Sequence, residues 1–128
     1  MNKRFLDYFE NSITTNWNAP ALNDYDGTTA FTYGEMAEKI ARLHVLFEQV
    51  GLQKGDKIAL CGRNSSMWAV DFLAVTSYGC VAVAILSDFD SEGIQALVNH
   101  SDAKLLLAGP LVWEQLNPER SEMLSCAV

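Results

Sequence analysis

Apolar residues return along this chain at two different intervals, and the change of interval divides it. Met36, Ile40, Leu43, Phe47 and Val50 recur at spacings of 4, 3, 4 and 3. That pattern lines one stripe of a helix of about five turns. Its start is marked by Thr32 and, three residues later, Glu35, a capping-box pair, with Phe31 and Met36 at the hydrophobic-staple positions. Gly51 stands where a left-handed C-terminal cap belongs. From Gly55 the runs shorten. Residues 57–61 read as a strand, Gly62-Arg63-Asn64-Ser65 as a turn, and residues 66–78 as a helix that Gly79 ends. Residues 80–86 are apolar on both faces, as an interior strand of a parallel sheet should be. Asp90 or Ser91 can cap a helix carrying Ile94, Leu97 and Val98, residues 104–108 form a third strand, and Pro110 can open another helix. The order β-α-β-α-β-α predicts an α/β fold, a mostly parallel sheet with flanking helices.

Two smaller pieces precede this unit. Phe5, Leu6, Phe9 and Ile13 suggest a short amphipathic helix that frays at Asn11 or Ser12. Asn18-Ala19-Pro20 is a connector. Asp26-Gly27 is a hairpin turn, and Ala21-Leu22 and Thr29-Ala30-Phe31 flank it as a small antiparallel ribbon. Residues 117–128 are polar and then end in Ser125-Cys126-Ala127-Val128 without a closing signal. The chain is therefore read as cut, part of a larger domain.

Composition narrows the function classes. The 128 residues are 49% hydrophobic and 20% charged, enough for one core and incompatible with wholesale disorder. Nine Lys and Arg against sixteen Asp and Glu give a net charge of −7, which argues against a general nucleic-acid binder. The longest uncharged stretch, residues 72–87, is shorter than the ~20 residues a membrane span needs. Asp7 and Glu10 interrupt any apolar segment behind Lys3 and Arg4, so no signal peptide is read there. Cys61, Cys80 and Cys126 match no zinc spacing, and their odd number argues against a disulfide framework. A reducing cytoplasm is the expected setting.

Candidate chemistry is sparse. Gly62-Arg63-Asn64-Ser65 lies between a strand and a helix, where backbone N–H groups and the helix dipole can hold an anion and Arg63 would add charge. It matches neither dinucleotide nor P-loop spacing, and Asn64 and Ser65 are sufficiently explained as caps. Gly27-Thr28-Thr29 has no following lysine and reads as part of the hairpin. His44 and His100 have no carboxylate at ligand spacing and read as structural. Ser65, Ser66, Ser77 and Ser87 form no nucleophile elbow. Asp88, Asp90 and Glu92 could serve acid–base or Mg²⁺ chemistry but fit the start of the next helix better. Trp68 lies in an apolar helix and reads as core. No catalytic, cofactor-binding or metal-binding residue is assigned.

The order of the segments is more specific than any one of them. Phe31-Thr32-Tyr33-Gly34-Glu35-Met36 is similar to the (L/F)-T-Y-x-E-L opening of adenylate-forming enzymes. Gly51-Leu52-Gln53-Lys54-Gly55-Asp56-Lys57-Ile58-Ala59 resembles their G-x-x-x-G-D-x-V-A segment. Arg63-Asn64-Ser65, Trp68, Phe72-Leu73-Ala74, Gly79 and Val81-Ala82-Val83 continue the match. From about residue 19 to residue 116 the chain resembles the N-terminal part of an AMP-binding acyl-CoA synthetase. Ile85-Leu86-Ser87-Asp88-Phe89 and Val98-Asn99-His100-Ser101-Asp102-Ala103-Lys104 look most like the long-chain fatty acid–CoA ligase branch. One departure is Ala84, where family members usually carry Pro.

The resemblance implies a parent that converts ATP and a fatty carboxylate into an acyl-adenylate and pyrophosphate. The thiol of CoA then displaces AMP. ATP, Mg²⁺, CoA and the fatty acid are the cofactors and partners so implied, with a cytoplasmic location, peripheral at a membrane in the parent. The family's Ser/Thr/Gly-rich phosphate loop, its adenine and Mg²⁺ motif, its ribose Asp and its mobile lysine have no counterpart in this sequence, so none is transferred. The chain alone is expected to be inactive. A sheet missing later strands would leave an open edge and an apolar face, which predicts self-association. The alternatives are a free-standing α/β module that binds a nucleotide or a protein, and an inactive scaffold remnant.

Overall fold

The computed structural model describes residues 5–24, 29–62, 65–85, 88, 90–109 and 124–127. In chain order the elements are α1 (Phe5–Thr15), β1 (Pro20–Asn23), β2 (Ala30–Thr32), α2 (Tyr33–Gln49), β3 (Lys57–Cys61), α3 (Ser66–Tyr78), β4 (Val81–Ile85), α4 (Ser91–His100), β5 (Leu105–Ala108) and β6 (Leu124–Ala127).

Local signals set the boundaries of α2. The Glu35 N–H donates to Thr32 Oγ1 at 3.1 Å, and the Thr32 N–H donates to Glu35 Oε1 at 3.0 Å, which closes the predicted capping box. Those bonds to Thr32, backbone first and then side chain, hold the Glu35 carboxyl below its usual range. At the other end Gly51 takes a φ of +79°. Its N–H bonds Glu48 O at 3.1 Å, and the Leu52 N–H bonds Phe47 O at 3.0 Å. This is a Schellman cap, and its hydrophobic contact is supplied by Leu52 and Phe47, both buried in one cluster. The same device ends α3. Gly79 has a φ of +95°, and the Cys80 N–H reaches Val75 O at 3.1 Å.

Four strands form a wholly parallel sheet in the order β4-β3-β5-β6. Strand alternation splits the core in two. Ile58, Leu60, Leu105 and Leu107 face α2 and α3, where Met36, Phe47, Val70, Ala74 and Val75 are buried. Ala59, Cys61, Leu106 and Ala108 face the other way, toward Ile94 and Val98 of α4. On the first face the hairpin β1-β2 and α1 add a further layer through Leu22, Phe31, Phe9 and Ile13.

Several expectations are corrected. Helix α1 runs to Thr15, past Asn11 and Ser12; the Asn16 N–H and side-chain amide both bond Ser12 O and prolong the last turn. Strand β4 starts at Val81 and is an edge of the described sheet rather than an interior strand, with Val81 47% exposed. Its two-sided apolar pattern reflects α3 on one face and the α4 layer on the other. Leu97 does not join the buried side of α4: it is 40% exposed, and the helix turns Ile94 and Val98 inward instead. Residues 124–127, to which the sequence assigns no element, pair with β5 as β6. The hairpin turn at Asp26-Gly27 and the helix opened by Pro110 lie outside the described residues.

Candidate functional site

The chain leaves the neighbouring strands β3 and β5 in opposite directions, β3 toward β4 and β5 toward β6. Helix α3 carries the chain to β4 on one side, and α4 carries it back to β5 on the other. Ligand crevices of α/β sheets form at such reversals, beyond the C-terminal strand ends. Here that place holds Gly62 and Gly109 side by side. The Gly109 N–H donates to Cys61 O at 2.9 Å, and a Cβ built on Gly62 would lie 3.4 Å from Gly109 N.

The N-terminus of α3 borders the same rim. Ser65 caps it, with the Trp68 N–H donating to Ser65 Oγ at 3.2 Å. The neighbouring Ser66 N–H donates to Asp24 Oδ1 at 2.7 Å, across 42 positions of sequence. Asp24 stands at the base of the hairpin, its own N–H bonded to Thr29 O at 2.8 Å. The anion that the sequence admits at this helix start is thus a carboxylate of the chain itself, satisfying the helix dipole from within. A phosphate arriving there would meet that negative charge. Arg63 and Asn64 lie outside the described residues, as do Ser87, Gly27 and Thr28.

Other sequence candidates resolve into structure. His44 Nε2 lies 3.0 Å from Ala74 O and 2.9 Å from Ser77 Oγ. A carbonyl only accepts, so Nε2 carries the hydrogen and cannot serve as a base for Ser77. The ring instead clasps α2 to the last turn of α3 and packs against Tyr78 and Phe47, with centroids at 5.3 and 6.3 Å. His100 is exposed in the last turn of α4, where positive charge suits the dipole. Asp90 caps α4, accepting from the Gly93 N–H at 2.7 Å, while Asp88 and Glu92 are exposed nearby. Trp68 is half-buried and stacks on Phe72 at 5.6 Å. Cys61 and Cys80 are buried, and burial pushes both thiols up, away from reactivity. At the opposite end of the sheet, the Gln53 N–H donates to Asp56 Oδ2 at 2.8 Å, and Lys104 Nζ lies 3.1 Å from Asp56 Oδ1. These hold the Asp56 carboxyl below its usual range and tie the β3 and β5 entries together.

Two features had no signal in the sequence. One is Asp24 on α3. The other is Asp71, only 5% exposed, whose Oδ1 is buried with no hydrogen-bond partner among the described residues; Ser66 Oγ is likewise orphaned. Burial raises the Asp71 carboxyl to about 7.

Among the described residues no group of three His, Cys, Asp or Glu could hold a metal ion, and no helix is long and apolar enough to cross a membrane. A nucleoside triphosphate with Mg²⁺ does not fit the described residues either, since the start of α3 at the crevice already carries a carboxylate.

Comparison with known proteins gives a consistent picture. The profile of a family described as AMP-binding enzyme matches residues 9–127. A nonribosomal peptide synthetase 5 from Gibberella zeae is 28% identical over 110 residues, 86% of this chain and 1% of that protein. A fatty acyl-CoA synthetase A from Dictyostelium discoideum is 34% identical over 59 residues, 46% of this chain and 9% of that protein. The crystal structure of a benzoate CoA ligase from Burkholderia xenovorans superposes with a TM-score of 0.86 at 20% identity. The match covers 99% of this chain and 26% of the ligase. The chain therefore spans a small part of the relatives it matches.

Proposed function

The chain belongs to the AMP-binding enzyme family, and on that premise we propose that it forms the N-terminal part of a larger adenylate-forming domain, one that activates a long-chain fatty acid with ATP and passes it to CoA. The observation that carries the reading is the family match over residues 9–127. The fatty-acid branch is supported by Val98-Asn99-His100-Ser101-Asp102-Ala103-Lys104 and by the likeness to the fatty acyl-CoA synthetase. In this reading the chain contributes scaffold. It supplies the parallel sheet, the crevice rim at Gly62 and Gly109, and a hairpin latched to α3. ATP, Mg²⁺ and CoA are bound by residues outside the described set. A cytoplasmic setting, peripheral at a membrane, belongs to the same reading.

The test is ATP–pyrophosphate exchange on two preparations: the 128-residue chain, and the product read in frame beyond Val128 in its source gene. The chain alone is expected to give no exchange, and the longer product to exchange with palmitate but not with benzoate or amino acids. Exchange by the chain alone would overturn the scaffold role. Exchange driven by an amino acid would move the parent to the peptide-synthetase side of the family.

A further inference from the structure

A cavity of about 280 Å³ opens between α1, α2 and the end of α3, at the other end of α3 from the hairpin latch and unused by the reading above. Phe9, Ile13 and Ile40 give it apolar walls, and Glu10, His44 and Ser77 give it polar ones. The polar groups share a bias. Glu10 is an exposed carboxylate. His44 gives its Nε2 hydrogen to Ala74 O and Ser77 Oγ, so it offers the cavity no free donor at that nitrogen. The Ser77 hydroxyl donates to Ala74 O at 3.2 Å and so presents lone pairs. Asp7, engaged in an interaction of its own, also lines the rim. Among the described residues no Lys or Arg lines the cavity.

We propose that this cavity is a binding site for a small organic ammonium ion, a primary amine on a compact apolar body. The walls take the hydrocarbon and Glu10 faces the cation. A carboxylate or a phosphate of the same size is rejected, because the lining offers acceptors to an ion that needs donors. The site is thus chemically opposite to the carboxylate and nucleotide that the family reading assigns to the parent, and it does not depend on that reading.

The experiment is a titration of the ¹⁵N-labelled chain followed by amide chemical shifts. The probes are 2-phenylethylamine and its anionic counterpart phenylacetate. The amine is expected to shift the Phe9, Ile13 and His44 amides saturably, and phenylacetate to leave them in place. Glu10→Gln, an exposed change that leaves the fold intact by circular dichroism, should weaken the amine about fivefold or more. Ala37→Leu, which fills the cavity from α2, should abolish the shifts. Equal binding of phenylacetate, shifts that never saturate, or an unchanged affinity in Glu10→Gln would overturn the proposal. Should Ala37→Leu fail to fold, the Glu10 variant decides.

Discussion

The two faces of the sheet are built on different scales. On the α2–α3 face, β3 and β5 present Ile58, Leu60, Leu105 and Leu107, and two helices, a hairpin and α1 lie over them. On the α4 face the same strands present Ala59, Cys61, Leu106 and Ala108, and among the described residues the ten-residue helix α4 lies over them. Side-chain size explains the contrast. The large inward side chains of the α2–α3 face join a cluster that draws on α2, α3, the hairpin and α1. On the α4 face the small Ala59, Cys61 and Ala108 share a smaller described cluster with Leu106, Ile85, Ala103, Ile94 and Val98. Among the described residues the thick face carries most of the apolar burial, and α3 on it carries Asp71, a carboxyl that burial penalises. The thin face has less to lose and less room to change.

The contrast can be broken most severely at Phe47. This ring is fully buried at the end of α2, against Tyr78 at 5.5 Å and next to the Leu52 contact of the Schellman cap. Phe47→Ala is expected to cost about 3–5 kcal/mol, read by urea denaturation.

The second largest effect runs the other way. Asp71 rises from an ordinary carboxyl value of 3.8 to about 7 in the folded chain. Below pH 3.8 the folded and unfolded chains both hold the proton. Between 3.8 and about 7 the unfolded chain releases it while the folded chain keeps it. Stability therefore falls as pH rises through that window and levels off above it, by roughly 4 kcal/mol in all. Asp71→Asn should flatten this part of the profile and stabilise the chain at pH 8. A wild-type profile that is level from pH 4 to 7 would show that the carboxyl reaches water.

On the thin face the sensitive change is overfilling. Cys61→Leu should cost about 1–3 kcal/mol, because Cys61 is 1% exposed and a larger side chain there must displace its buried neighbours around Ile94. Leu60→Met, beside it on the thick face, should cost less than Cys61→Leu in the same thermal melt. The smallest expected effect is at the entrance to α2. Thr32→Ala removes the capping-box acceptor and should cost about 1 kcal/mol, with the loss read in amide exchange of the first turn.

What the sequence made legible follows the reach of each interaction. The capping box spans three residues and the Schellman caps five, so Thr32, Glu35, Gly51 and Gly79 could be read directly. The parallel strands β3, β4 and β5 were legible because short apolar runs between helices allow few other topologies. The position of β4 was not, because an apolar run registers what covers its faces and not what lies at its side. Asp24 escaped for a similar reason: its partner, the Ser66 N–H, is 42 residues away and belongs to a different layer. Asp71 sits in a helix that is apolar almost all round, and nothing in its neighbours marks which side faces inward. Of the candidate site, the capping role of Ser65 was visible and the occupant of the helix start beside it was not.

The strand order β4-β3-β5-β6 also governs how the chain can assemble as it is made. The middle strand β3 leaves the ribosome before the strands that flank it. Next comes β4, on one side of β3; β5 takes the vacant other side; and β6 then joins β5. Each newcomer docks at a border that is still open, and none has to wedge between two partners already joined. Growth outward from the centre spares the nascent chain any unzipping step, and a polypeptide paused after β4 already has β3, α3 and β4 able to close on one another.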